Sequence, residues 1–255
     1  MRRSLLLVLL LLLTTACFEI EQSIDLQKNL SGTADFHLGV DLEPMVVVMA
    51  QFAKEMEGKK GPLTAAELAK AKAEFSKSKS SDGPGEPPSR AEIEKGLPEG
   101  VDLLDMKYTE KEFGVVSDFK FAFDRINHLV GVKFPSKEGG DPTRKNIIDT
   151  PFEGLELVEK GDTLTIRSTA QNPAESVKEE AAEGPKLDPA MEKLVRDAFG
   201  KMRVVYRITA PFAVVSHNAT RKEGNTLVWE YDLKRFEELK GKPLDDLQLR
   251  VTYRR

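Results

Sequence analysis

Past an apolar leader, the chain alternates strictly between apolar and polar residues. Phe18, Ile20, Gln22, Ile24 and Leu26 fall on one side, and Glu19, Glu21, Ser23, Asp25 and Gln27 on the other. Period two is the pattern of a half-buried strand. Asn29-Leu30-Ser31-Gly32 supplies turn chemistry. Alternation then resumes, with Ala34, Phe36, Leu38 and Val40 inward and Thr33, Asp35 and His37 outward. The two runs predict a β-hairpin.

The period then changes. Asp41 can cap a helix with Pro44 in its first turn, and Met45, Met49, Phe52 and Met56 recur at helical spacing. Thr64 and Glu67 form a capping box for a second helix running to about Lys77, and Ser89 with Glu92 opens a short third one before Pro98. Strands are predicted at Val101 to Lys107 and Val115 to Phe123, the latter with Val115, Phe119, Phe121 and Phe123 on one face. A short helix follows near Asp124 to Val130, and Lys137 to Lys145 reads as a loop. Gly154 to Glu159 and Thr163 to Ser168 flank a Gly161-Asp162 turn and predict a second hairpin. Asp188 and Pro189 open a helix reaching about Phe199. Strands are expected at Arg203 to Thr209, Ala213 to His217, Thr226 to Tyr231 and Leu247 to Tyr253, with a helix over Leu233 to Leu239.

This order predicts an α+β fold, a curved antiparallel β-sheet with helices packed on one side. The Ser/Gly/Pro-rich stretch 78–88 and the acidic Ala/Glu-rich stretch 172–186 read as mobile linkers inserted into one domain over 17–255. The first and last strands alternate alike and are candidates to pair.

The leader has its own logic. Arg2 and Arg3 give a positive start, Leu5 to Leu13 an uninterrupted apolar run, and Thr14, Thr15 and Ala16 a small-residue end before Cys17. Residues 1–16 thus have the layout of a secretory signal peptide. The apolar run is too short to span a bilayer, which takes about 20 residues. A small residue before cysteine also fits a bacterial lipobox, in which the thiol receives a diacylglycerol. Thr14 departs from the leucine common three positions before that cysteine. Cys17 is the sole cysteine of 255 residues, so no internal disulfide and no Cys-based zinc site is open to the chain. Cleavage before Cys17 removes Arg2 and Arg3 and takes the formal charge of −4 to −6. No apolar run in the remainder is long enough for a transmembrane helix.

Net acidity argues against a general nucleic-acid binder. The charge is uneven: Ala190 to Arg255 carries 14 Lys/Arg against 9 Asp/Glu. That quarter is either a patch for anionic headgroups or acidic glycans, or the solvated face of alternating strands, with the solvated face favoured.

Catalytic signatures are sparse. There is no Gly-x-Ser-x-Gly elbow, Walker A loop, dinucleotide fingerprint or His-Glu-x-x-His. Ser76-Lys77-Ser78-Lys79 satisfies Ser-x-x-Lys, but it borders the first linker and lacks the desolvated pocket that would lower a lysine pKa. His37 and Asp35 share a strand face without a third metal ligand. No cofactor is expected. Met45, Met49, Phe52 and Met56, with Phe119, Phe121 and Trp229, are either ordinary core or the lining of an apolar ligand pocket between helix and sheet.

The two ends of the chain, Cys17-Phe18-Glu19-Ile20-Glu21-Gln22-Ser23-Ile24-Asp25-Leu26 with Ser31-Gly32-Thr33-Ala34, and Pro211 to Ala219 with Gly224-Asn225-Thr226-Leu227-Val228-Trp229, resemble bacterial LppM-type envelope lipoproteins. The resemblance implies an exported α+β domain at the membrane surface that binds envelope lipids or glycolipids, and it supplies no catalytic residues. Members often carry a transmembrane helix after the domain, where this chain stops at Arg255. The expectation is therefore a non-enzymatic lipoprotein anchored through Cys17 on the extracytoplasmic face of a bacterial membrane. Its partner would be an envelope lipid or, alternatively, another envelope protein.

Overall fold

The computed structural model describes residues 17–82, 88–134, 150–168, 189–239 and 248–255. The opening alternation forms β1 (Cys17–Leu26) and β2 (Gly32–Asp41), paired antiparallel with Ile20 opposite Leu38 and Ile24 opposite Ala34. In the turn between them Leu30 adopts a positive φ of 69° and still buries its side chain. Gly32 is obligatory next to it, since a Cβ there would stand 1.9 Å from the Asp25 carbonyl oxygen.

β3 (Val101–Lys111) and β4 (Gly114–Phe123) extend this hairpin, β4 lying against β2. On the other side of β1 lies β7 (Arg203–Thr209), then β10 (Thr226–Asp232) and the short β9 (Arg221–Glu223). The result is a seven-stranded sheet in the order β3-β4-β2-β1-β7-β10-β9. It is mixed, because β1 and β7 run parallel, with Ile20 beside Val204 and Ile24 beside Ile208. A second, antiparallel sheet has the order β5-β6-β11-β8, from β5 (Leu155–Lys160), β6 (Thr163–Ser168), β8 (Ala213–His217) and β11 (Arg250–Arg254).

The expected α+β class is present, with two differences of topology. There are two sheets rather than one curved one. The first and last strands also do not pair: β1 takes β7 as its neighbour, while β11 lies between β6 and β8. Alternation fixes which face a strand buries but not which strand it joins.

One core fills the space between the sheets. Ile20, Ile24, Phe36, Phe121, Leu227 and Trp229 of the large sheet belong to the same buried cluster as Leu164, Ile166, Val251 and Tyr253 of the small one. The helices α3 (Arg90–Lys95) and α4 (Ile126–Leu129) close it with Ile93, Ile126 and Leu129, and α6 (Leu233–Leu239) with Leu239. The layer against the large sheet is thus shared by strands and helices.

Three further helices make a separate lobe. They are α1 (Glu43–Met56), α2 (Ala65–Asp82) and α5 (Pro189–Phe199). Val48 of α1 packs with Met191 and Ala198 of α5 in a small cluster of their own. Leu42 rather than Asp41 is the N-cap of α1 and makes no side-chain cap, while Asp41, one residue earlier, accepts a hydrogen bond from the Glu43 N–H at 3.0 Å; the Thr64–Glu67 and Ser89–Glu92 capping boxes both form. α2 continues to Asp82, so the predicted linker at 78–88 begins as helix. Residues 83–87 and the linker at 172–186 lie outside the described residues, as do the leader, the loop at 137–145, Asp188 and Leu247.

Candidate functional site

The backbone of Cys17 already belongs to the fold. It is the first residue of β1, in register with Asp41. Phe18 packs against the core, and Glu19 accepts a hydrogen bond from the Arg203 guanidinium at 2.9 Å. Packing thus holds the chain from residue 18 and an ion pair holds it at residue 19.

The outer face of the large sheet carries most of the grouped polar chemistry. Glu19, Glu21, Ser23, Asp35, His37, Asp105, Asp118 and Lys120 line an open trough across β1 to β4. His37 Nδ1 is 2.6 Å from Asp118 Oδ1, and Lys120 Nζ lies 3.6 Å from Asp35. Serine, histidine and aspartate share this face, the residue types of a nucleophilic triad. Their geometry is different. His37 Nε2 lies toward Gly39, 3.5 Å from where a Cβ would stand, whereas Ser23 is in register with Asp35 on the other side of His37. No hydrogen bond joins Ser23 to His37. His37 and Asp35 each engage a partner of their own, as on a solvated strand face. Among the described residues, no group of three or more His, Cys, Asp or Glu side chains is arranged to hold a metal ion.

The other half of this face is a lattice of ion pairs. Arg203 reaches both Glu19 and Glu230 at 2.9 Å, Arg207 reaches Glu21 at 2.6 Å, and Arg221 bridges Glu223 at 2.5 Å and Glu230. Beneath it Val205 and Val228 are fully buried. The Arg221 and Arg203 guanidiniums hold the Glu230 carboxyl below its ordinary range, and Arg221 does the same for Glu223. The arginines of the basic C-terminal quarter are therefore largely committed to glutamates of neighbouring strands. Complementary signs at outward positions of β1 and β7 were visible in the sequence; their adjacency was not.

Among the described residues, the candidate pocket residues divide between the main core and the helical lobe. Phe119 and Phe121 interlock with Phe36, Phe134 and Phe152, with ring centroids 4.5–6.4 Å apart, and fill the core. Trp229 is buried and donates its indole N–H to Asn218 at 2.8 Å. Met45 is buried, Met49 and Phe52 are half-buried, and Met56 is exposed at the end of α1. Phe52 packs with the α1–α5 cluster, apart from the aromatic strands. The two sets thus face different neighbours. Ser76 sits within α2 rather than in a loose tract, its hydroxyl buried with no hydrogen-bond partner among the described residues.

Among the described residues, no helix is long and apolar enough to cross a membrane. No family model matches the chain, and no curated protein does. Among solved structures, the chain is similar to the folded domain of the Mycobacterium tuberculosis LppM protein, at 10% identity and a TM-score of 0.42, covering 94% of this chain and 91% of that one.

Proposed function

We propose that the protein is a non-enzymatic module of a bacterial envelope, exported by its leader, acylated at Cys17, and binding an envelope component through its exposed surface. The carrying observation is that the chain passes from an export-type leader directly into the first strand at Cys17. A thiol at the junction of leader and body is where a lipid anchor is attached, and two or more acyl chains hold a body on a bilayer stably. The aromatic core, closed on itself, supports a surface-binding adaptor over a carrier that encloses a lipid.

The test uses the full chain expressed in a bacterium. Mass spectrometry of the N-terminal peptide is expected to show a diacylglyceryl-modified Cys17. Cys17→Ala is expected to move the protein out of the membrane fraction. Unmodified Cys17 in a membrane-free fraction overturns the anchor. Native mass spectrometry of the acylated protein after incubation with envelope lipid extract addresses the binding mode. Bare protein is expected, and a stoichiometric bound lipid overturns the adaptor form.

A further inference from the structure

Resting on the anchor reading above, we infer that the protein stands on its membrane in one orientation: the Cys17 end of the large sheet and the α1–α2–α5 lobe face the phospholipid surface, and the Gln27–Ser31 turn points away.

The register settles which residues share the anchor's end. Cys17 is opposite Asp41, Asp41 opposite Gly114, and Gly114 opposite Lys111. Arg203 and Asp232 begin and end their strands at the same level. The lobe is attached here as well. α1 starts two residues after Asp41, and α5 ends four residues before Arg203. α2 is fixed to the β3–β4 turn, where Phe75 packs tilted against Phe113 with ring centroids 6.1 Å apart and Lys72 lies over the Phe113 ring at 5.7 Å. Lys72 also pairs with Glu43 at the start of α1. The lobe is therefore a braced part of the anchor end.

The tether has almost no reach. One extended residue spans about 3.5 Å, and Phe18 is already packed. Acyl chains on Cys17 thus bring this end to the headgroups. A ten-residue strand rises about 33 Å, which puts the Gln27–Ser31 turn that far along β1 from the anchor. The segment 41–82 carries seven Lys and seven Asp/Glu, so it neither repels nor strongly recruits anionic lipid. Orientation follows from the short leash rather than from a basic patch.

Acylation blocks the only native thiol, so one introduced cysteine can be labelled selectively. Glu112→Cys, in the exposed β3–β4 turn, and Lys28→Cys, in the exposed β1–β2 turn, report the two ends. Each acylated, spin-labelled protein is placed in phosphatidylethanolamine/phosphatidylglycerol vesicles containing a nickel-chelating lipid. Relaxation by the nickel lipid is expected to be several-fold stronger at position 112 than at 28, with unfolding curves matching the parent protein. Equal relaxation, or stronger relaxation at 28, in protein whose Cys17 is acylated by mass overturns the orientation alone. A Cys17 without acyl mass overturns the anchor reading and the orientation with it.

Discussion

Asn218 holds Trp229 to the neighbouring sheet. Its Oδ1 accepts the indole N–H at 2.8 Å and the Arg250 backbone N–H at 2.9 Å, while its Nδ2 donates to the Gln248 carbonyl at 2.6 Å. One amide thus ties β10 of the large sheet to β11 of the small one. Asn218→Ala leaves the buried indole N–H without a partner, a loss of about 1–3 kcal/mol. Trp229 is the only tryptophan, so its emission reports the change directly. The variant is expected to unfold at lower urea and to shift its native spectrum; an unchanged spectrum and midpoint would show that the clamp is dispensable.

Gln22 occupies an inward position of β1 among apolar neighbours and is buried. Its Nε2 donates to the Pro151 carbonyl at 2.5 Å. Gln22→Leu keeps the apolar pattern but strands that carbonyl, and is expected to cost about 1–3 kcal/mol despite added hydrophobicity. Chemical denaturation decides it: a gain in stability refutes the role given to the amide.

Phe121 is wholly buried against Phe134 and Phe152. Truncation to alanine opens a cavity and is expected to cost about 3–5 kcal/mol, whereas Phe121→Leu costs less. A Phe121→Ala protein within about 1 kcal/mol of the parent would show that the surrounding rings collapse into the space.

Acid should weaken the fold through the outer lattice and the helix caps. Glu230, Glu223, Glu156 and Glu92 are held below their ordinary 4.5 by neighbouring guanidinium or hydroxyl donors, and Glu67 is drawn down to about 2 by Lys54 and Thr64. A carboxylate with a depressed native pKa stabilises the fold fully above its unfolded value and loses that contribution as pH falls through the native one. Thermal midpoints are therefore expected to be level from pH 7 to about pH 5 and to drop below about pH 4.5. Glu230→Gln should start lower and fall less steeply. A profile level to pH 3 contradicts the linkage.

The pattern of apolar residues carried local structure well and long-range structure poorly. Alternation over 18–26 and 34–40 identified the first hairpin, the capping boxes at Thr64 and Ser89 marked helix starts, and the Gly161-Asp162 turn located β5 and β6. The Ser-rich tail of α2 hid its helical length, because serine has weak intrinsic propensity. Pairing of β1 with β7 had no local signal, since both strands merely alternate. Nor did Gln22 betray its partner 129 residues away. The Met45–Met56 periodicity marked a helix correctly but could not say that its companions would be Met191 and Ala198 rather than the aromatic strands.

The parallel pairing of β1 with β7 also sets a timetable for assembly. Glu19 meets Arg203 across 184 residues, so the free edge of β1 stays open while everything between them is made. At synthesis rates of 5–20 residues per second that wait is about 10–40 s. Once β4 is complete at Phe123, a half-sheet of β3, β4, β2 and β1 leaves the β1 edge unsealed until β7 is made. The carboxylates of Glu19 and Glu21 on that strand then do a second job: they repel a second copy of the same strand until Arg203 and Arg207 of β7 arrive to pair with them.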